Sequence, residues 1–491
     1  MSVTRSRGSA GGRLWLLAAT LLALPLCLDA IGDPDLWWHL RTGQWIADNH
    51  AIPHTEMFSY TANGAPWVVH EWLAEFLFWL VRSGVGLASL AVLVALVTLS
   101  GLLALALRAW RNGASGFNVG VVLLLGAKTM QPVTGTRPQM LTFALLCWTL
   151  YLVDDHMRRG GRRIWLVVPL VVFWANVHAG FAAALALLGV ALAGGLLDAL
   201  WQHRLDSEQR RRILTVAVTL VVSAAAALIN PDGIGLYGLA LSATSPGAHQ
   251  LIQEWQPPNF TSLSMLPLLL LMVATLATMV MSRRRLRPSH VLLTVVGIAA
   301  ALVAVRNIAL AVALLSPVLA ELLPVTYRLP GRPLVLPLTA TVAAVLAVIV
   351  SVVHVAQDTS DAALARQFPV CLLNDLRASG QQVHLWLPYG QAGFAIDATW
   401  PQVHVYAYGE DNALGATVIS NYVRIAAGVV DQPTALQLLA TSRTSAVITA
   451  TGSLARELLA AGWVQVATAG DQVLLTAPTL HGVVAVSCSA G

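Results

Sequence analysis

Charge is scarce in this chain. Of its 491 residues only 11% are charged and 57% are hydrophobic, with a mean hydropathy of +0.69. A soluble domain carries about 25% charged residues, so a purely soluble protein is excluded. Lysine is nearly missing, since Lys128 is the one lysine among 29 basic residues. The arginines fall in short clusters between apolar runs rather than on one basic face, which excludes a nucleic-acid footprint. Cysteine is sparse as well. Cys27, Cys147, Cys371 and Cys488 have no metal-ligand spacing.

What is plentiful is apolar sequence, spread over roughly the first 355 residues. A membrane span needs about 20 apolar residues. Eleven runs qualify as candidates: 14–32, 85–107, 117–131, 139–154, 164–177, 179–200, 213–229, 263–282, 290–305, 307–323 and 334–354. The first reads as a span rather than a cleaved leader, because no clear small-x-small site precedes the acidic stretch after it. Basic residues collect in cytoplasmic loops. With the N-terminus inside, Arg5/Arg7/Arg13, Arg108/Arg111, Arg158/Arg159/Arg162/Arg163, Arg204/Arg210/Arg211/Arg212, Arg283/Arg284/Arg285/Arg287 and Arg328/Arg332 all fall on the inner side. Every second loop is thus rich in arginine. An odd number of spans then puts residues 356–491 outside.

That last segment differs in kind. Short β-like runs (383–387, 403–408, 445–449, 472–476) alternate with helical stretches (360–379, 432–441, 453–461), which predicts a small α/β domain. On an oxidising outer face Cys371 and Cys488 are candidates for a disulfide, with two free thiols as the alternative. The expected organisation is a transmembrane domain over 1–355, with interfacial helices in its first outer loop (33–84), and an outer domain over 356–491. The tryptophans of that loop (Trp37, Trp38, Trp45, Trp67, Trp72) suit helices lying in the membrane interface.

The polar residues capable of chemistry sit at the outer ends of the spans. The first outer loop carries Asp33, Asp35, His39, His70, Glu71 and Glu75. Later outer turns carry Arg137, Asn176 with His178, Asn230 with Asp232 and Tyr237, Glu254 with Trp255, and Arg306 with Asn307. Ionisable groups near membrane depth are costly and tend to mark function. Their common side points to a cavity that opens outward. Each also has a plainer reading. Asp33 and Asp35 suit the N-cap of a helix starting near Leu36. Arg137 precedes Pro138 and can end a loop and snorkel. Asn230-Pro231-Asp232-Gly233 is a strong turn signal, Asn176 and His178 suit helix caps, and Trp255 suits an interfacial anchor. Arg306 interrupts an apolar stretch and calls for an acidic or phosphate partner.

The run Asp35-Leu36-Trp37-Trp38-His39-Leu40-Arg41 resembles the first outer-loop motif of the oligosaccharyltransferase catalytic subunit: an Asp, two aromatics and an Arg six positions on, just after the first span. The resemblance implies that Asp35 is a catalytic, metal-binding residue. Trp386-Leu387-Pro388-Tyr389-Gly390 is similar to that family's acceptor-binding motif, with Pro388 where the family has Asp. The region around 128–138 offers Arg137 where the family has paired acids. The wider chain resembles a broad, GT-C-like group of bacterial membrane proteins. The shared features are the D-x-D-x-W-W-H-L-x-x-G start, the segment His70–Leu73, the segment Arg137–Gln139 and the turn Asn230–Gly233.

The resemblance implies a GT-C glycosyltransferase in the bacterial cytoplasmic membrane, with a cytoplasmic N-terminus and a periplasmic C-terminal domain. Its donor would be a polyprenyl-phosphate-linked sugar and its acceptor a glycan, a lipid or a protein. Besides membrane lipid, a Mg²⁺ or Mn²⁺ ion at Asp35 is the implied further ligand, since hard cations prefer oxygen donors. Asp35, Asp33 and Glu71 are the catalytic candidates. His39, His70, Arg137, Asn176, His178, Asn230, Tyr237, Glu254 and Arg306 are the candidates for substrate binding, and the two arginines match phosphate geometry. Two other classes compete. One is a lipid or polysaccharide transporter, which would more typically show repeats and mid-membrane charges, or a non-catalytic envelope-assembly protein. A zinc hydrolase built on His39, His70 and Glu71 lacks the helical His-x₃-His pair.

Overall fold

The computed structural model describes residues 10–28, 31–201, 206–242, 253–282, 286–324, 335–427, 432–480, 482–486 and 488. Of the inner arginines expected from the sequence, Arg5, Arg7, Arg204, Arg283, Arg284, Arg285, Arg328 and Arg332 lie outside these residues, as does the side chain of Arg13. The chain forms two compact units. One comprises Met1–Ala30, Ala88–Ala243 and Gln253–Val355, and the other Ile31–Leu87, Thr244–Ile252 and Ala356–Gly491.

The first unit is helical. A helix overlaps each of the eleven apolar runs: Ala10–Cys27, Ala88–Arg111, Gly116–Met130, Gln139–Arg159, Val167–Val177, Ala182–Trp201, Ser207–Ala226, Leu266–Met281, Pro288–Val303, Ile308–Leu322 and Val335–Asp358. Five helical segments among the described residues are long and apolar enough to cross a membrane: Ala88–Arg111, Ala179–Leu200, Leu263–Met281, Val305–Leu322 and Leu338–Asp358. Several helices leave large apolar side chains outward, with Val221, Val280 and Val350 each more than 60% exposed. Water penalises such surfaces and lipid does not. The chain is therefore a multi-pass membrane protein.

The ends of three of these helices share one ionic knot. Arg108 lies 3.1 Å from both Asp154 and Glu321, and Arg158 lies 2.9 Å from Asp154 and 3.0 Å from Glu321. Asn112 donates to both carboxylates. Buried charges persist only when paired and hydrogen-bonded in this way.

The second unit is built on a five-stranded sheet. Its strands are β1 (Val383–Trp386), β2 (Val403–Val405), β3 (Ala446–Ala450), β4 (Val464–Ala469) and β5 (Gln472–Thr476), in the order β2-β1-β3-β5-β4. β1 runs parallel to β2 and β3, and β5 runs antiparallel to β3 and β4. The four β-like runs expected from the sequence are β1, β2, β3 and β5. β4 and the helices Tyr389–Thr399 and Asp411–Ala427 are additional.

The first outer loop was expected to belong with the membrane helices, but it packs with this sheet. β2 is an edge strand, and an open edge offers unpaired backbone groups. The segment Phe58–Tyr60 fills them: Val405 N donates to Phe58 O at 3.0 Å and Tyr60 N to Val405 O at 3.1 Å. The loop's turn is fixed by Glu56, whose buried carboxylate accepts from Phe58 N (2.6 Å), Ser59 N (2.7 Å) and Ser59 Oγ (2.9 Å).

Cys371 and Cys488 form a disulfide across 117 residues. Closing so long a loop restricts the unfolded chain. Replacing both cysteines by serine is expected to lower stability by about 2–5 kcal/mol. The check is the Tm of the detergent-purified protein, followed by tryptophan fluorescence.

Candidate active site

Two helices of the second unit, Leu36–Asn49 and Trp72–Val85, bring the acidic candidates together. Glu71 and Glu75 are four residues apart, so they share a helix face. His39 and Gly43 are related in the same way on the facing helix. A Cβ on Gly43 would overlap the carbonyl of Glu75, so the glycine is what lets the two backbones meet. As a result His39 sits between two carboxylates. Its Nδ1 is 2.9 Å from Glu75 Oε1 and its Nε2 is 3.4 Å from Glu71 Oε2. His70 Nε2 is 3.7 Å from the other Glu71 oxygen. All three central side chains are buried.

One turn earlier stands Asp35. It occupies the N-cap position of the helix, yet its side chain makes no cap hydrogen bond. Its Oδ1 accepts from the Trp38 indole at 3.2 Å instead. Asp33 Oδ1 accepts from Asp35 N at 3.0 Å, an Asx turn that orients the next carboxylate. Gly409, from the loop after β2, packs directly on Asp35, and a Cβ there would overlap its Oδ1. Tyr389, the last aromatic of the Trp386–Gly390 motif, donates to Asp411 Oδ1 at 3.1 Å and to Tyr408 O at 2.9 Å. Burial and the negative charges of Asp411, Asp35 and Glu410 push the Tyr389 hydroxyl well up. The motif thus faces the acids.

Reading the sequence alone left Glu75, Gly409, Glu410 and Asp411 off the list of site residues. The Glu71/Glu75 spacing was a signal available in the sequence. The three residues from 409 to 411 lie in a different part of the chain with no motif to flag them. Burial, with Glu71 and Glu410 close by, raises the Glu75 carboxyl well above its ordinary range. Burial and Asp411 push Glu410 up to about 7. A raised carboxyl holds its proton in the folded chain and loses it in the unfolded chain. Stability is therefore full below the ordinary carboxylate range and declines as pH rises through 7. We expect Tm to fall between pH 5 and pH 8, and Glu410→Gln to flatten that fall; a slope unchanged by the substitution would assign it to other groups.

His39, Glu71 and Glu75 offer ligand atoms within 4.8 Å of one another, the one such set of three among the described residues. Glu75 Oε2 is buried without a hydrogen-bond partner. One imidazole and two carboxylates suit a divalent ion of the manganese-to-zinc range. The donor set fits a metal, and Asp35 is not one of its three members.

In the first unit the outer turns gather the remaining candidates. Arg137 Nη1 lies 2.6 Å from Glu254 Oε1, and the Arg306 guanidinium lies 4.0 Å over the Trp255 ring. Val305 N donates to Gln256 O, tying the two turns together. Arg137, Glu254, Trp255 and Arg306 therefore form one group. The other candidates carry local bonds. Asn176 Nδ2 donates to Val172 O and Ile229 O, both at 2.8 Å. His178 Nδ1 accepts from Gly180 N at 2.8 Å and meets Thr142 Oγ1 at 2.9 Å. Asn230 Oδ1 accepts from Asp232 N at 2.8 Å, and Tyr237 donates to Ala224 O at 2.6 Å. His178 is a cap and Asn230 closes a turn, whereas Asn176 and Tyr237 donate to backbone carbonyls.

No protein-family model and no curated protein sequence matches the chain. Solved structures do. ArnT from Cupriavidus metallidurans bound to undecaprenyl phosphate aligns with a TM-score of 0.53 at 11% identity, over 97% of this chain and 99% of that one. The apo state of the same protein gives 0.50 at 14% identity, over 94% and 96%. The Archaeoglobus fulgidus oligosaccharyltransferase, tethered with an acceptor peptide containing the NVT sequon, aligns at 0.51 and 12% identity, over 89% of this chain and 69% of that one. The fold of this chain is that of the GT-C membrane glycosyltransferases.

Proposed function

We propose that the chain is a glycosyltransferase that moves a sugar from a polyprenyl-phosphate or polyprenyl-diphosphate carrier to an acceptor on the outer face of the bacterial cytoplasmic membrane. The observation that carries this reading is the Asp35 carboxylate. It is held at the start of its helix by the Trp38 indole, oriented by Asp33 and packed against Gly409, in a chain with the GT-C fold. The ArnT structure bound to undecaprenyl phosphate supports a lipid-phosphate donor, and the tethered acceptor peptide supports an acceptor distinct from the carrier. The topology that goes with it has eleven crossings, a cytoplasmic N-terminus and residues 356–491 outside, in keeping with the arginine bias.

Transfer from such a donor needs a base at the acceptor and positive charge at the departing phosphate. Asp35 takes the proton from the acceptor. Glu71, Glu75 and His39 form the acid–base reservoir behind it, and His70 restrains Glu71. In the first unit, Arg137 and Arg306 suit a phosphate, with Glu254 and Trp255 holding their guanidiniums in place. Asn176, His178, Asn230 and Tyr237 hold other turns of the same unit. A divalent ion held by His39, Glu71 and Glu75 would supply Lewis-acid stabilisation of negative charge. Pro388 replaces the acidic position of the acceptor motif, which favours an acceptor other than a peptide sequon.

The test is lipid mass spectrometry of the purified protein, followed by transfer from the lipid found. A co-purifying polyprenyl-phosphate sugar that the protein consumes is the expected result. Phospholipid alone, with no transfer from any added polyprenyl-phosphate sugar, would overturn the reading. Arg306→Ala is expected to weaken donor binding roughly tenfold, the loss of about 1.4 kcal/mol, and donor titration checks it.

A further inference from the structure

A second polar pocket in the sheet-bearing unit lies away from the carboxylates. It has a volume of about 660 Å³ and is walled by Arg41, Arg82 and Arg377, with Asp397, Trp37 and Trp400 among its other sides. Three guanidiniums converge on it, and one carboxylate answers them at close range: Arg82 Nη1 lies 2.8 Å from Asp397. Arg41 donates to Gln44 Oε1 at 3.0 Å and to the backbone carbonyl of Asp397. Arg377 reaches the Ala398 carbonyl at 3.4 Å. Among the described residues neither Arg41 nor Arg377 is ion-paired, and Arg41 Nε is buried without an acceptor. The other carboxylate on the wall, Asp361, is exposed at the rim.

Gathering like charges is unfavourable unless an anion shares them. Burial, together with the charges of Arg82 and Arg377, already lowers the Arg41 pKa, while Asp397 opposes the shift. The guanidiniums are also steadied. Arg41 lies 6.0 Å from the Trp400 ring centre and Arg82 5.9 Å from that of Trp37. Stacking fixes the plane and leaves N–H edges free for an oxyanion. The chain's course sets the depth of the pocket. Leu87 lines it and directly precedes Ala88, the first residue of a helix able to span a membrane; Thr359 lines it and directly follows Asp358, the last residue of another. Where those helices cross a bilayer, both connections leave it at the level of its headgroups.

We propose that this pocket binds a phosphate-bearing group, and specifically the headgroup of an anionic phospholipid. Binding there anchors the sheet-bearing unit at the lipid surface through charge-assisted hydrogen bonds to phosphate oxygens.

The test uses the full-length protein in detergent, with phosphatidylglycerol, phosphatidylcholine and inorganic phosphate as probes. Native mass spectrometry reads bound lipid, and titration with phosphate reads competition. The basic inner loops attract anionic lipid too, so the measurement is the difference between wild type and variant. The double variant Arg41→Gln/Arg377→Gln is expected to weaken phosphatidylglycerol binding at least tenfold, with phosphatidylcholine binding unchanged. Neither arginine is ion-paired, and Tm should hold. Displacement of phosphatidylglycerol by inorganic phosphate would show that the phosphate group itself is recognised from either source. Resistance to it would show that the lipid is the ligand. If the double variant does not fold, Arg377→Gln alone carries the test, because that side chain is exposed; a threefold loss is then expected. A properly folded variant that binds phosphatidylglycerol as tightly as wild type overturns the proposal.

Discussion

Replacing Asp35 by Asn is expected to reduce sugar transfer by roughly 100- to 10,000-fold, the range over which a positioned general base acts. The amide oxygen can still accept from the Trp38 indole, as Oδ1 does at 3.2 Å, so folding should be spared. What is lost is the basic electron pair. Gly409→Ala offers an independent approach to the same atom, since the added methyl would overlap Asp35 Oδ1. It leaves every functional group in the chain and moves one of them. A comparable loss of rate, with donor affinity kept, is expected. Full activity in D35N would remove Asp35 from the chemistry. Full activity in the glycine variant alone would show that the carboxylate tolerates displacement.

The largest expected effect on stability lies at the ionic knot of the first unit. Glu321→Ala removes a carboxylate paired with Arg108 at 3.1 Å and Arg158 at 3.0 Å. Arg108 is 2% exposed, and without Glu321 it must share the single carboxylate of Asp154 with Arg158, which leaves one buried positive charge unbalanced. Breaking one side of a buried pair costs about 3–5 kcal/mol, because the surviving charge is left uncompensated. We expect a large drop in Tm, or loss of folded protein from the membrane. Glu321→Gln should recover only part of it, since its single amide oxygen can accept from Asn112 or from Arg158, which bond different carboxylate oxygens, and its NH2 faces the other donor. The double replacement of Arg108 and Glu321 by Met and Leu should be milder than E321A alone, because it removes both charges. A variant E321A as stable as wild type would mean that water reaches the knot.

The apolar runs were legible because a spanning helix must hide its own backbone, and long uninterrupted hydrophobic sequence does that. Each run therefore overlaps a helix. The small α/β unit was legible where strands alternate cleanly, as at Val383–Trp386, whose residues are buried except for the half-exposed His384. It was not legible at Tyr389–Thr399, where two glycines and a preceding proline disguise a helix. Nor was it legible at Val464–Ala469, where the residues are mostly small or exposed. The site divides the same way. His39, Glu71 and Glu75 come from two neighbouring helices, and spacing alone relates the two glutamates. Gly409 meets Asp35 through tertiary packing between distant parts of the chain, which one sequence does not encode in any periodic signal. Arg306 called for an anionic partner on sequence grounds. The structure adds the Trp255 face, a cation partner that hydropathy reading does not score.

The bridge that Phe58–Tyr60 makes to β2 bears on how the protein is made. Glu56 and Tyr408 meet at 3.2 Å although 352 residues separate them, and the backbone pairing with Val405 spans a similar distance. Synthesis delivers the N-terminal partner first. The segment carrying Asp35 must therefore wait, with its sheet edge unmade, while most of the remaining helices are inserted. Contacts of such long range form late. A nascent chain arrested before residue 403 would hold every catalytic candidate of the first loop and still lack the strand and the glycine that set Asp35 in place. Assembly of the site thus doubles as a check that synthesis has passed Gly409.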